Sequence, residues 1–206
     1  TRLEAYSKRH AKGAKAMLVI APKSLLRPAW ENDCKKFTPW LKVSCCYAAT
    51  REKDFARRAD IYVTNHDATK WLAKQPKLFF NKFDSLVIDE STAFKHHTSD
   101  RSRALVKIKK YFKYRCCMTG TPNTNTVTDI WNQLNVLDDG KRLGTSFYAF
   151  RASTQAPEQV GPRPNMLRWT DRPGAEEAVG GLIADITIRH KFEDCLDIPP
   201  NHEYVV

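Results

Sequence analysis

The sequence has no long hydrophobic run, few glycines and no internal repeat, and each absence narrows the class of protein. No apolar stretch approaches the ~20 residues that a membrane-spanning helix needs, so we expect no membrane partner. We find no charged start followed by an apolar run and a cleavage site, so no secretory signal is expected. Only 8 of the 206 residues are glycine and 42% are hydrophobic, which is typical of a globular domain with a substantial core.

The cysteines lack the C-x-x-C spacing of zinc clusters and redox motifs. Two adjacent pairs dominate the set, and adjacent cysteines suit neither a metal site nor a disulfide framework. We therefore expect reduced, mostly buried thiols in a cytoplasmic protein. The six positions are Cys34, Cys45, Cys46, Cys116, Cys117 and Cys195.

Positive charge is the most informative part of the composition. The chain carries 34 Lys and Arg against 23 Asp and Glu, a net charge of +11. Such a balance predicts attraction to polyanions. Basic residues concentrate between Arg101 and Arg115, where a solvated helix face and a nucleic-acid surface explain them equally well.

Short apolar runs alternate with helical patterns along most of the chain. This alternation predicts an α/β domain whose mainly parallel sheet is covered by helices on both faces. Three of the runs end in polar or small residues that suggest function. These runs cover 17–21, 86–88 and 116–118, and two further strands are predicted over 43–47 and 61–64.

Two helix signals make specific predictions. Trp30, Cys34 and Phe37 fall at i, i+4 and i+7, which predicts one buried stripe. Thr126 and Asp129 have the spacing of a capping box at the start of a helix.

The pattern changes after residue 152. Prolines and glycines around an isolated Trp169 predict an irregular surface insertion over 155–174. A helix is predicted over 174–184 and strands over 185–189 and 203–206. We divide the chain into a sheet domain, 1–152, and a proline-rich insertion with a closing segment, 153–206.

Asp89 and Glu90 follow the central strand at its carboxyl end, where open α/β sheets bind ligands. Asp89 is placed to hold Mg²⁺, which prefers oxygen ligands. Glu90 is placed to act as the general base that polarises a water molecule. An ordinary exposed acidic turn is the alternative. For His66, in the turn after the strand over 61–64, we expect a merely polar role.

Hydrolysis of a nucleoside triphosphate also needs a cradle for the phosphates. No G-x-x-x-x-G-K-[ST] motif occurs in the sequence. Thr1 opens a helix that leads to a strand, so we interpret it as the last residue of such a motif and as part of the nucleotide site. The chain has no initial Met and no strand before this helix, and we expect it to be part of a longer protein.

Taken together, these segments resemble the first RecA-like lobe of Swi/Snf-like superfamily-two helicases. Asp89-Glu90-Ser91-Thr92 resembles motif II, the Asp-Glu-Ala-His box. The remaining similarities are residues 21–26 with Trp30 to motif Ia, 64–67 to motif Ib, 118–122 with 129–134 to motif III, and 188–200 to the segment that closes the lobe.

The resemblance implies an ATPase lobe with a RecA-like three-layer fold, which uses ATP and Mg²⁺ to move along duplex DNA without regard to its sequence. It implies a second RecA-like lobe as the partner, so the chain alone is expected to hydrolyse ATP negligibly. It also implies roles for particular residues. These are catalysis by Asp89 and Glu90, nucleotide binding by Thr1, Asp89 and Glu90, Mg²⁺ binding by Asp89, coupling by Thr119, Gly120 and Thr121, and DNA binding by Pro22, Lys23, Ser24, Thr64 and Asn65.

The chain departs from the family pattern at several positions. Ser91-Thr92 replaces Ala-His, so the coupling histidine of the box is absent, and His190-Lys191 stands where Arg-Thr is usual. The Asp-Glu-Ser-Thr form is typical of compact phage or bacterial members, which implies a bacterial cytoplasm, or a nucleus if the protein is eukaryotic. Two alternatives remain: a strand-separating DNA or RNA helicase, and a nucleic-acid-binding module with a non-functional ATP site.

Overall fold

Five parallel strands form the central sheet of the computed structural model, which describes residues 2–122, 125–163 and 165–189. The strands lie in the order β2-β3-β1-β4-β5. Thr1, His190 and the rest of the closing segment, Cys195 and the strand predicted over 203–206 lie outside the described residues. The strand bounds are β1 Ala16–Ala21, β2 Val43–Cys46, β3 Ile61–Asn65, β4 Phe83–Asp89 and β5 Tyr114–Met118.

The central strand β1 is buried on both faces, which explains its continuous apolar run. Leu18 and Ile20 belong to the core on one face, whereas Met17 and Val19 belong to the core on the other. Alternate residues of a strand point to opposite faces, so a strand between two helical layers must be apolar throughout.

The described residues contain nine α-helices, and the first seven cover the two faces of the sheet. Those preceding β2 pack on one face, where Tyr6 and Trp30 are buried. On the other face the core includes Leu72, Leu105 and Val136, so the predicted three-layer arrangement is confirmed. The helices are α1 Arg2–His10, α2 Asn32–Phe37, α3 Arg51–Ala56, α4 Ala68–Leu72, α5 Lys77–Phe80, α6 Asp100–Ile108, α7 Trp131–Asp138, α8 Phe147–Thr154 and α9 Ala175–Ile183.

The predicted buried stripe, which runs from the π-helical turn Leu26–Glu31 into α2, differs from the prediction at one position. Trp30 and Cys34 are buried as expected, but Phe37 is 49% exposed. The stripe continues instead to Thr38, four residues after Cys34. Thr38 is fully buried, and its hydroxyl donates a hydrogen bond to the carbonyl of Cys34 over 3.2 Å.

The predicted capping box before α7 does not form. Thr126 makes no side-chain cap, and a 3₁₀ turn over Val127–Ile130 precedes the α-helix. The carboxylate of Asp129 instead accepts the backbone N–H of Asn125 and forms an ion pair with Lys95, both over 3.1 Å. Asp129 therefore binds the loop before the helix rather than its first turn.

The expected irregular insertion contains a regular β-hairpin, β6 Gln155–Gln159 and β7 Leu167–Asp171. The sequence does not indicate this hairpin, because Pro157 lacks a backbone N–H and the exposed strands have no apolar alternation. Asp171 anchors the hairpin by accepting the N–H of Val127 over 2.8 Å and the amide of Gln155 over 2.7 Å.

The helix predicted over 174–184 is confirmed as α9, but the strand predicted over 185–189 is wrong. A 3₁₀ turn occupies Ala184–Ile186, and Ile188 is exposed. A third core of Val127, Leu134 and Phe150 joins α7, α8 and α9. The proposed division after residue 152 falls within α8.

Candidate functional site

The carboxyl ends of the parallel strands bring the predicted site residues to one edge of the sheet. Ala21 at the end of β1 pairs with Asn65 at the end of β3. On the other side of β1, Ile20 pairs with Ile88, and Asp89 pairs with Met118 of β5. The loops that begin at Pro22, His66, Glu90 and Thr119 therefore follow adjacent strands, although they are far apart in sequence.

Three hydrogen bonds hold Asp89 in place. The indole N–H of Trp30 donates to Oδ2 over 2.9 Å, and the backbone N–H of Glu90 donates to Oδ1 over 3.0 Å. The third bond joins Nε2 of His66 to the carbonyl oxygen of Asp89 over 2.8 Å. The carboxylate is therefore oriented before any ligand binds.

His66 has a structural role that its position in a turn did not reveal. A carbonyl oxygen can only accept, so Nε2 must carry a proton and donate it. The ring also packs edge-to-face on Phe94, with 5.2 Å between centroids. Burial lowers the pKa of His66, which favours the neutral ring with its proton on Nε2.

Glu90 has an unusual backbone conformation. Its φ of 50° and ψ of 55° lie in the left-handed region, which costs a residue with a side chain on the order of 1 kcal/mol. The side chain is exposed, in contrast to the half-buried Asp89. This sharp turn lets adjacent carboxylates take different environments, and such backbone strain is common at functional sites.

The loop after β5 is ordered by its own side chains. The hydroxyl of Thr119 accepts the backbone N–H of Thr121 over 3.2 Å. Gly120 and Thr121 are exposed at the same edge of the sheet as Glu90. The structure thus places the three predicted coupling residues beside the strand that carries Asp89.

The residues predicted to bind DNA divide into exposed and buried groups. Lys23 and Ser24 are exposed in a 3₁₀ turn after β1. Asn65 is half-buried, and its side-chain oxygen accepts a hydrogen bond from Arg51 over 3.0 Å. Thr64 is fully buried and its hydroxyl donates to the carbonyl of Cys46, so its side chain does not reach this surface.

Most of the cations between Arg101 and Arg115 pair with acidic residues of the chain. Arg101 pairs with Asp67 over 2.8 Å, and Lys109 and Arg115 both pair with Asp139, over 3.1 and 2.6 Å. These two cations hold the pKa of Asp139 well below its usual range, the hydrogen bond from Arg115 being the larger cause. This part of the chain therefore offers fewer available charges than its sequence suggests.

The site residues fit a magnesium-bound nucleotide. Within residues 2–122, 125–163 and 165–189, no three His, Cys, Asp or Glu side chains cluster as a metal site. Mg²⁺ commonly takes one or two carboxylates and fills its other positions with water and phosphate oxygens. The carboxylate of Asp89 accepts two hydrogen bonds and has about four lone-pair positions, which leaves room for such an ion.

The helices of the described segments include none that is both long and apolar enough to cross a membrane. The sequence does not indicate that Arg51 lies at the carboxyl edge of the sheet, or that Trp30 and His66 form hydrogen bonds to Asp89. These contacts join residues that are 14 to 59 positions apart, so no local pattern reports them.

The profile of the SNF2-related domain family matches residues 3–206, so the chain belongs to that family. Putative protein p41 of Acyrthosiphon pisum secondary endosymbiont phage 1 is 26% identical over 202 residues, which cover 93% of this chain and 44% of that protein. The TATA-binding protein-associated factor MOT1 of Saccharomyces cerevisiae is 29% identical over 97% of this chain and 11% of its own length.

The SWI2/SNF2 ATPase core of Sulfolobus solfataricus in complex with dsDNA has a similar structure. The TM-score is 0.67 at 25% identity, over 90% of this chain and 36% of that one. The predicted RecA-like fold and the resemblance to Swi/Snf-like enzymes are both confirmed. The chain spans less than half the length of each of these relatives.

Proposed function

We propose that this chain is the first ATPase lobe of a protein that hydrolyses ATP with Mg²⁺ and moves along duplex DNA. The observation that carries the proposal is the Asp89-Glu90 pair, oriented at the carboxyl end of β4 in a chain of the SNF2-related family. Names among the relatives support it, including an uncharacterized ATP-dependent helicase of Mycoplasma genitalium that is 30% identical over 83% of this chain.

Asp89 and Glu90 have different parts in this mechanism. Asp89 would hold Mg²⁺, which neutralises charge on the phosphates when bound. The hydrogen bonds from the indole of Trp30 and the backbone N–H of Glu90 fix the carboxylate in one orientation, so less reorganisation is needed on binding. His66 holds the backbone carbonyl of the same residue. Glu90, which is exposed and has a left-handed backbone, would accept a proton from the attacking water. Thr1 would complete the phosphate side of the nucleotide site.

The DNA would lie on the loops after β1 and β3. Lys23 supplies an exposed cation, Ser24 a hydroxyl, and Pro22 begins a turn with available backbone groups. Arg51 occupies the side-chain oxygen of Asn65, which leaves the amide NH₂ group as a donor for phosphate. These groups suit phosphates rather than base edges, so binding would be indifferent to sequence.

The complete enzyme would need a second RecA-like lobe, because an arginine finger contributes about 10³–10⁵ in rate where it has been measured. Thr119, Gly120 and Thr121 would couple the two lobes. We place the protein in the cytoplasm of a bacterial or phage-infected cell, a placement that the similarity to a phage protein supports.

The proposal is tested by Glu90→Gln in the full-length protein. The amide keeps the shape of the side chain but cannot accept the proton, so DNA-stimulated turnover should fall by about 10²–10⁴. ATP binding, measured by calorimetry, should change little. Glu177→Gln, an exposed acid on α9, is the matched control. Turnover by Glu90→Gln within about twofold of this control would contradict the assignment of the general base.

A further inference from the structure

Ser91, the residue after Asp89 and Glu90, points into the protein and not toward the surface. It is 1% exposed, and its hydroxyl lies 2.5 Å from Oε1 of Gln133 on α7. An amide oxygen can only accept, so the hydroxyl donates. The contact joins the turn after Asp89 and Glu90 to a helix 42 residues further along the chain.

The other end of the Gln133 amide contacts the loop after β5. Nε2 donates to the carbonyl of Pro122 over 3.0 Å and to that of Asp129 over 3.1 Å. Pro122 directly follows the predicted coupling residues, 119–121. A single buried side chain, 3% exposed, therefore bonds to both the catalytic turn and the proposed coupling loop.

A neighbouring residue provides a natural comparison. The amide of Asn132 donates to the carbonyl of Phe94 over 2.6 Å, so it also binds α7 to the catalytic turn. Asn132 is as buried as Gln133, at 1% exposed. The same carbonyl also accepts the hydroxyl of Ser102 on α6 over 3.0 Å, so the bond of Asn132 leads to α6, whereas the bonds of Gln133 lead to Pro122.

We propose that Gln133 is a positioning residue that links the state of the catalytic turn to the loop over 119–122. The inference rests on the proposed function. A buried amide that loses one partner is left with an unsatisfied group, which is costly away from water. Displacement of the loop is therefore coupled to rearrangement at Ser91, and the turn that carries Glu90 responds when the loop moves.

The test compares two variants of the full-length protein. The double variant Ser91→Ala with Gln133→Leu replaces the hydroxyl and the amide by apolar groups, so neither half of that hydrogen bond stays buried and unpaired. It also removes the donor to the carbonyls of Pro122 and Asp129, which is the link under test. Asn132→Ala breaks the neighbouring bond but does not affect Pro122. Turnover is measured with and without saturating duplex DNA, together with the KM for ATP and the melting temperature.

We expect the double variant to lose about tenfold in the ratio of DNA-stimulated to DNA-free turnover, while its KM for ATP and melting temperature change little. Asn132→Ala should lower the melting temperature and keep the ratio. A merely structural Gln133 would instead lower both rates in parallel. An unchanged ratio in the double variant, or an equal loss in Asn132→Ala, would overturn the inference.

A second measurement serves if the double variant folds poorly. Hydrogen exchange of the peptide that contains 119–122 should respond to a non-hydrolysable ATP analogue in the unsubstituted protein and not in Gln133→Met. An equal response in both would contradict the link while leaving the proposed function intact. No DNA-stimulated turnover in the unsubstituted protein would overturn the proposed function and the inference together.

Discussion

The two halves of the carboxyl edge of the sheet differ in both charge and constraint. In the acidic half, Asp89 and Glu90, Trp30 holds the carboxylate of Asp89, His66 holds its backbone carbonyl, and the backbone of Glu90 is strained. The basic half, Lys23, Ser24 and Asn65, lies at the ends of the adjacent strands β1 and β3 and leaves its cation exposed. Fixed groups suit a reaction that needs defined geometry, whereas an exposed cation suits a polyanion that is bound in many registers.

The segment between Arg101 and Arg115 shows that charge in a sequence is not the same as available charge. Arg101, Lys109 and Arg115 form ion pairs with acids of the chain. Lys107, Lys110 and Lys113 are exposed, but they approach the start of β5, at the opposite edge of the sheet from the site. The basic half therefore has fewer exposed cations than the 101–115 segment, but its cation lies at the same edge of the sheet as Asp89 and Glu90.

The largest expected effect in the acidic half comes from Asp89→Ala in the full-length protein. Loss of the carboxylate should weaken binding of the Mg²⁺–nucleotide complex by about 100-fold or more, since outer partners of metal ligands are already worth 10–100-fold. Trp30→Phe removes only such a partner and should cost less. Calorimetric titration of both variants with ATP and Mg²⁺ checks the order, and a greater loss for Trp30→Phe would refute it.

The next effect concerns the basic half. Lys23→Ala should weaken duplex DNA binding equally across sequences and lower the slope of log affinity against log salt by about one unit. Turnover at saturating DNA should stay near that of the unsubstituted protein, because Lys23 does not contact the acidic half. Fluorescence anisotropy at several salt concentrations measures the slope, and an unchanged slope would remove Lys23 from the DNA surface.

A smaller effect is expected from the triple substitution Lys107→Ala, Lys110→Ala and Lys113→Ala. It removes three exposed charges but should change the salt slope by less than the single Lys23→Ala change. Lys109 is retained because its buried ammonium pairs with Asp139. The same anisotropy series provides the comparison. A larger slope change in the triple variant would move the DNA surface to α6.

The smallest effect is a pH dependence of stability from His66. Burial lowers its pKa in the folded state, so the unfolded chain binds a proton first as the pH falls. The contribution of the neutral ring is fully present above about pH 6.5, the unfolded value, and is lost as pH falls toward the folded value. Urea unfolding at pH 7.5 and 5.5 should show a smaller difference in His66→Gln, and an equal difference would exclude this origin.

Much of the edge was predictable because parallel strands end at the same side of a sheet. The runs before Pro22, Asp89 and Thr119 were therefore enough to predict, without any contact information, that these residues share one edge. The contact between Trp30 and Asp89 was not predictable, since it depends on how the π-helical turn Leu26–Glu31 packs over the sheet. Thr64 was misleading for a similar reason, because one position along a strand turns its hydroxyl from the edge into the core.

The secondary-structure predictions that were wrong concern segments with little burial. The hairpin of β6 and β7 is held by paired backbone groups and by Asp171, and its exposed strands need no apolar pattern. The strand expected over 185–189 had such a pattern, with Ile186 and Ile188, but these side chains are exposed. Apolar periodicity reports burial, so it is uninformative where elements lie on the surface.

The most direct test of the division between the two halves measures turnover and DNA affinity in Glu90→Gln and Lys23→Ala of the full-length protein. Glu90→Gln should lose turnover by about 10²–10⁴ and keep both its DNA affinity and its salt slope. Lys23→Ala should keep turnover at saturating DNA and lose about one unit of slope. Loss of both properties in both variants would show that the two halves act as one site and would contradict this account.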